Sequence, residues 1–377
     1  MREGFIKGMD LSTCRELEEC GAKYFDHGVE KDILDIMTEN GVTMIRLRLW
    51  NDPYDKSGAK YGAGTNDLDT TIYIGKKVTE HGMKVLLDYH YSDFWTDPGK
   101  QFKPKAWRTL GFDGLKAALH DFTRDSLKAI LDAGVDIGMV QVGNEVTNGL
   151  LWPDGKLDKD ENYNCDNYPA VAELISAGID AVRETDDRIP VMIHLDNGGN
   201  NLMYRAWFDN YFANGGSDFE YIGLSYYPVW HGTLSDLENN MNDMVKRYNK
   251  NVIVAEVSTT WTLRDYAEYE KLGEGERKGI ATKKELVEKL EYPPTVEGQV
   301  NFTKDFLGRL DKVMGGRGKG FFWWEPGWVP VPGSGWATPA SLKYIEDPGP
   351  CGNEWANQIL FDYEGNMHPT WDVIRDF

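Results

Sequence analysis

Residues 38–50 read TENGVTMIRLRLW. The first three close a helical pattern, Gly41 suits the left-handed turn that ends a helix, and the β-branched and aliphatic run after it suits a buried strand. The same unit recurs as TEHGMKVLLDYH (79–90), LDAGVDIGMVQVGNE (131–145), NGGSDFEYIGLSYY (214–227) and MGGRGKGFFWWE (314–325). Adding GFIKGMDLS (4–12), RIPVMIHLD (188–196) and KNVIVAEVS (250–258) brings the candidate strands to eight. Between them, stretches such as 30–40, 69–81, 113–134 and 171–186 repeat apolar residues three and four apart, the period of a helix packed by one face on a sheet. Eight alternations predict a single (β/α)8 TIM barrel over residues 1–377. A doubly wound open sheet gives no reason for eight similar units, and no GxGxxG follows the first strand.

The chain has 377 residues, 41% of them hydrophobic, enough for one large core. Its 41 basic and 61 acidic residues leave a net charge of -20, scattered along the chain, which argues against nucleic acid or an anionic membrane as a partner. The cysteines Cys14, Cys20, Cys165 and Cys351 form no CxxC pair. Free thiols are expected, with a Cys165–Cys351 pair left open. The opening MREGFIKGMD lacks the apolar run of a signal peptide, and no later stretch is long enough to span a bilayer. A cytoplasmic monomer is the expectation, or a secreted protein if a leader has been lost.

Long inserts follow strands 3, 4, 7 and 8, at 91–111, 146–167, 258–294 and 326–354. A barrel builds its active site from loops in these places. The inserts carry Trp95 and Trp107, Trp152, Trp261, and Trp328 and Trp336, and Trp230 follows strand 6 in YYPVW. Pyranose rings present C–H faces that lie flat on indoles, so Trp95, Trp152, Trp230 and Trp328 are candidate sugar contacts.

In TMIRLRLW, alternation puts Arg46, Arg48 and Trp50 on one face and Ile45, Leu47 and Leu49 on the other. The aliphatic face covers the outer helices, so both arginines point into the barrel and need acidic partners there. For Arg46 a structural ion pair and a place in the site are both open; Arg48, nearer the C-terminal end, is the site candidate. Glu145, Glu256 and Glu325 each end an apolar strand, an expensive position for an acid unless it is paired or used. Strands 4 and 7 lie across the barrel from each other and converge on its mouth. A pair of carboxyls there is what a glycosidase requires, about 5 to 5.5 Å apart when configuration is retained. The seven histidines form neither HExxH nor HxH on the first strand, so a zinc hydrolase has little support. No cofactor or metal is expected. Among the histidines only His90, beside Asp88 and Tyr89, is singled out.

Together GFIKGMDLS, RLRLWNDP, LLDYHYSDFWTDPGKQ, VQVGNEVTNGLLWPDG, GLSYYPVWHGT, VIVAEVS and FFWWEPGW resemble glycoside hydrolase family 53, the endo-β-1,4-galactanases. The resemblance implies a retaining hydrolase of β-1,4-linked galactan or galacto-oligosaccharide. It implies Glu145 as general acid/base, Asn144 as a hydrogen-bond partner of the sugar 2-hydroxyl, and Glu256 as nucleophile. It further implies Arg48 holding Glu256 ionised, Tyr227 orienting it, His90 lining the subsite and Trp324 as the floor under the cleaved sugar. Some members bind calcium near the loop after strand 7; here that loop is lysine-rich and has no alternating oxygen ligands, so no calcium site is expected. Another β-1,4-glycanase specificity, mannanase or endoglucanase, and a non-catalytic carbohydrate-binding barrel are the alternatives.

Overall fold

The computed structural model describes residues 4–266 and 284–377. Eight parallel strands close into a barrel: β1 (Ile6–Asp10), β2 (Met44–Leu49), β3 (Lys84–Tyr89), β4 (Ile137–Val142), β5 (Val191–Leu195), β6 (Tyr221–Tyr226), β7 (Asn251–Val257) and β8 (Gly318–Trp323). Each pairs with its neighbours in sequence, and β8 closes on β1 through Ile6↔Gly320 to Met9↔Trp323. The outer helices are α1 (Ile33–Glu39), α2 (Leu68–Glu80), α3 (Phe112–Asp132), α4 (Tyr168–Thr185), α5 (Asn201–Ala213), α6 (Leu234–Tyr248), α7 (Val296–Asp311) and α8 (Thr370–Asp376). Their buried stripes pack on the outward face of the strands in one large apolar cluster. Local signals mark the starts: Asp67 caps α2 by accepting from Thr70 N at 2.8 Å, and Thr233 with Asp236 forms a capping box on α6. Among the described residues no helix is long and apolar enough to cross a membrane, and the four cysteines are free thiols.

The barrel interior is layered. Near the N-terminal end Met44, Leu86, Met139, Met192, Ile253, Ala255 and Phe322 form a separate apolar plug. Gly8 makes room for it, since a Cβ there would sit 2.3 Å from the Phe322 ring. One pleat further towards the C-terminal end the inward residues turn polar, and Asp10, Arg46, Asp88, Gln141, His194 and Ser225 are all fully buried. The plug shuts water out from below, so every polar group above it has to find a protein partner or face the mouth.

On β7, simple alternation fails. Ile253 and Ala255 belong to the interior plug, so Glu256 should turn outward with Val252 and Val254. Instead the ladder to β6 slips: Leu224 pairs with Val254 but Ser225 pairs with Glu256, leaving Ala255 unmatched. This bulge re-aims Glu256 into the barrel and sends Val257 to the outer core.

The expected loops after β3, β4, β7 and β8 are present, the last running on to α8 at Thr370. Two further inserts were not anticipated. A short helix (Cys14–Glu19) and a hairpin (Tyr24–Asp26 with Val29–Lys31) follow β1, and residues 50–67 follow β2. The part of the loop after β7 at 267–283, on which the expectation about calcium bears, lies outside the described residues.

Candidate active site

Glu145 follows β4 in the left-handed backbone region, at φ 47, after Gly143 at φ 82. A non-glycine residue held there is strained, and strain of this kind concentrates where a side chain must be aimed. Across the mouth stands Glu256. Ligand atoms of Glu145, Glu256 and His194 all lie within 4.8 Å of one another. That spacing would suit a metal ion, but each group is already engaged by protein partners. Glu145 Oε1 accepts from Ser225 Oγ at 2.5 Å, and Ser225 in turn takes the Nε2 proton of His194 at 2.9 Å. His194 Nδ1 lies 3.1 Å from both Gln141 Nε2 and Asn144 Oδ1. Burial, with Arg46 nearby, holds that imidazole well below its usual pKa.

Glu256 is held differently. Its Oε1 receives Arg46 Nη1 at 2.9 Å and its Oε2 receives the Tyr227 hydroxyl at 2.7 Å. Arg46 is the hub: Nη1 also reaches Asp10 at 2.9 Å, Nη2 reaches Asp88 and Asn144 at 2.8 Å each, and Nε reaches Gln141 at 3.1 Å. Burial raises the Glu256 carboxyl, while Arg46 and Tyr227 pull it back down. Among the described residues no cation pairs with Glu145 to oppose burial. Its carboxyl is pushed well above the ordinary value by burial first, then by the charges of Glu256 and Asp196. Both carboxyls end above the ordinary value, but Glu145 is raised further, because Arg46 and Tyr227 offset part of the burial at Glu256.

Here the structure corrects one expectation. Arg48 does not hold Glu256; it pairs with Asp10 at 3.1 Å and Glu325 at 2.8 Å, and its guanidinium carbon lies 4.4 Å from the centroid of Trp95. Arg46 sits one pleat deeper, level with Asp10 in the ladder, and its long side chain climbs to Glu256. The deeper arginine thus serves the carboxylate, and the shallower one backs an aromatic wall.

Ten of the expected residues line one cavity of about 390 Å³: Arg48, His90, Trp95, Asn144, Glu145, Tyr227, Trp230, Glu256, Trp324 and Trp328. His90 gives its Nε2 proton to Asp88 at 3.1 Å and accepts from the Thr96 amide at 3.2 Å. Asn144 spends one amide hydrogen on the Thr96 carbonyl at 2.9 Å, leaving the other for a ligand. Trp95, Trp324 and Trp355 form a nearly continuous indole surface, with Trp324 and Trp355 centroids 4.4 Å apart. Trp328 adds little open surface, being 1% exposed behind Trp95. Trp152 lies elsewhere, in an adjoining polar cleft with Asp196 and Lys159. Residues not anticipated are Asp10, Gln141, His194 and Ser225 beneath the carboxyls, and Trp336, Asp347, Glu354 and Trp355 from the loop after β8. Each of the first group occupies an inward strand position where a polar residue interrupts an aliphatic run, and that is the signal that could have found them.

Residues 6–374 match the profile of a family described as glycosyl hydrolase family 53. The chain is 38% identical over 394 residues to the endo-beta-1,4-galactanase of Bacillus subtilis, covering 100% of this chain and 86% of that protein. It is 31% identical over 332 residues to an arabinogalactan endo-beta-1,4-galactanase of Humicola insolens, covering 86% and 90%. Among solved structures, the family 53 catalytic domain of Ignisphaera aggregans superposes with a TM-score of 0.88 at 38% identity, over 100% of this chain and 96% of that one.

Proposed function

The chain belongs to glycosyl hydrolase family 53 and is a glycoside hydrolase; from that premise we propose that it cleaves β-1,4-galactosidic bonds within galactan by double displacement. Glu145, protonated, gives its proton to the departing glycosidic oxygen while Glu256 Oε2 or Oε1 attacks the anomeric carbon and forms a covalent galactosyl ester. Once Glu256 is esterified its charge is gone, the repulsion that kept Glu145 protonated falls, and Glu145 takes a proton from the incoming water. Arg46 and Tyr227 keep Glu256 ionised and oriented, Asn144 offers its free amide hydrogen to the sugar 2-hydroxyl, and Trp324 supports the ring.

The observation that carries this reading is the pair of carboxyls with oxygens within 4.8 Å in unequal electrostatic settings, one held by Arg46 and Tyr227 and the other by Ser225. An inverting enzyme keeps its carboxyls roughly 6.5 to 9.5 Å apart to admit a water between them. The galactosidic specificity rests on the relatives named above, since the pair itself is common to many β-glycanases.

Azide rescue tests the two roles. Glu145→Ala should lose most activity on polysaccharide, and on a dinitrophenyl β-galactobioside, whose leaving group needs no acid, azide should speed its turnover and give the β-glycosyl azide. An α-azide from that variant would mean that the roles are exchanged.

A further inference from the structure

Glu325 lies just beyond β8 in the left-handed backbone region (φ 43), with its side chain fully buried. The mechanism above makes no use of it, although it sits among the same charged groups. Its Oε1 is 2.8 Å from Arg48 Nη1 and accepts the Thr13 amide at 3.2 Å, and its Oε2 is 2.6 Å from the Thr13 hydroxyl. Asp10 competes for the same Arg48 nitrogen at 3.1 Å. Four buried carboxyls, Asp10, Asp88, Glu256 and Glu325, thus meet two guanidiniums, Arg46 and Arg48. Four buried negative charges on two positive ones are costly, which favours a proton on one of the four carboxyls.

Asp10 is the one fixed as an anion: Oδ1 takes the Ser12 hydroxyl at 2.8 Å and Oδ2 takes Arg46 at 2.9 Å. The proton therefore belongs to Glu325, where the Thr13 hydroxyl can rotate to accept rather than donate. Charge counting agrees. Arg46 and Arg48 already face three buried anions, Asp10, Asp88 and Glu256, and a fourth would have no cation of its own. Tyr24 is also near Glu325; its hydroxyl donates to the Gly327 carbonyl at 2.7 Å and offers Glu325 no positive charge.

Resting on the assignment of Glu256 as nucleophile, we propose that Glu325 works as a neutral carboxylic acid and is a positioning residue: uncharged, it leaves Asp10 shared between Arg48 and Arg46 and so keeps Arg46 on Glu256. Arg46 meets both Asp10 and Glu256 through one nitrogen, Nη1. Ionised Glu325 draws Arg48 to itself, Asp10 then leans on Arg46, and Nη1 is pulled from Glu256. The same shift moves Arg48 beneath Trp95 and Trp324, whose ring centroids lie 4.4 and 5.6 Å from its guanidinium carbon. Burial, opposed by Arg48 and reinforced by Asp10, pushes the Glu325 carboxyl up to about 8, so the neutral form prevails through neutral pH.

The test pairs infrared titration with a pH profile. In Glu145→Gln, which removes the carboxyl that the mechanism protonates, a carboxylic-acid C=O band should persist at neutral pH and disappear near pH 8, and that component should be lost when Glu325→Gln is added. A band missing from Glu145→Gln at neutral pH overturns the proposal. For function, kcat/KM is measured with dinitrophenyl β-galactobioside, whose leaving group needs no acid. Glu325→Gln should stay within about threefold of native near pH 6, because the amide is isosteric and still neutral. One pH unit above the native inflection it should exceed native by roughly tenfold. Superimposable profiles, or a folded but inactive Glu325→Gln, overturn the proposal. If native protein ignores the galactobioside, the galactosidic reading fails instead, and the comparison is made on the dinitrophenyl β-1,4-linked glucose or mannose disaccharide that it does cleave.

Discussion

Glu145 and Glu256 are chemically the same residue, yet the chain gives one a serine hydroxyl and the other a guanidinium and a phenol. Arg46 should accordingly matter more to chemistry than Arg48. Arg46→Met strips the paired guanidinium from Glu256 and leaves Asp10 and Asp88 partly unpaired, so kcat/KM should fall by about 10³ or more and stability by roughly 3 to 5 kcal/mol. Arg48→Met should lower kcat/KM much less; equal losses in steady-state assays of the two folded variants would refute the ranking. The raised Glu145 carboxyl also makes a prediction about stability. Folding favours its protonated form, so its contribution is full below the unfolded value near 4.5 and is lost as pH rises through the folded value. Glu145→Gln cannot lose that proton, and its urea midpoint should fall less than that of native protein between pH 5 and pH 8. Both glutamates were legible because an acid closing an aliphatic run is conspicuous. Arg46 was undecided because sequence shows which face an arginine occupies but not how far its side chain climbs. Ser225 and His194 read as ordinary residues until the barrel brings them under Glu145.

At the scale of elements, the decisive local event is the slip at Ala255 on β7. Periodicity recovered every barrel strand, since glycine, aliphatic run and polar end repeat along the chain. It does not reveal bulges, because the extra residue is defined only against the neighbouring strand. The inserts after β1 and β2 were also hidden: a six-residue helix and three-residue strands are too short to show a period. Gly8 links β1 to the plug. A methyl group there would lie 2.3 Å from the Phe322 ring and 2.6 Å from the Phe321 carbonyl oxygen. Gly8→Ala should therefore cost about 1 to 3 kcal/mol of stability in urea unfolding. An unchanged midpoint would show that Phe322 is loosely held and that the plug does not support the polar layer above it.

In the whole molecule, a closed sheet sealed at one end by apolar side chains makes the other end the place where buried charge can meet a substrate. Loops after β3, β4, β5, β6 and β8 all contribute to the two clefts there, and the indole wall spans the loops after β3 and β8. Fold and family were readable because the motifs are long and lie at strand ends; the assignment of partners within the site needed the closed barrel. The most direct test of the account is proton NMR of debranched β-1,4-galactan during digestion by the native protein, following the anomeric signals of the first product. The account predicts new reducing ends that appear as the β-anomer and only later mutarotate. First appearance of the α-anomer, or an untouched galactan, would contradict it.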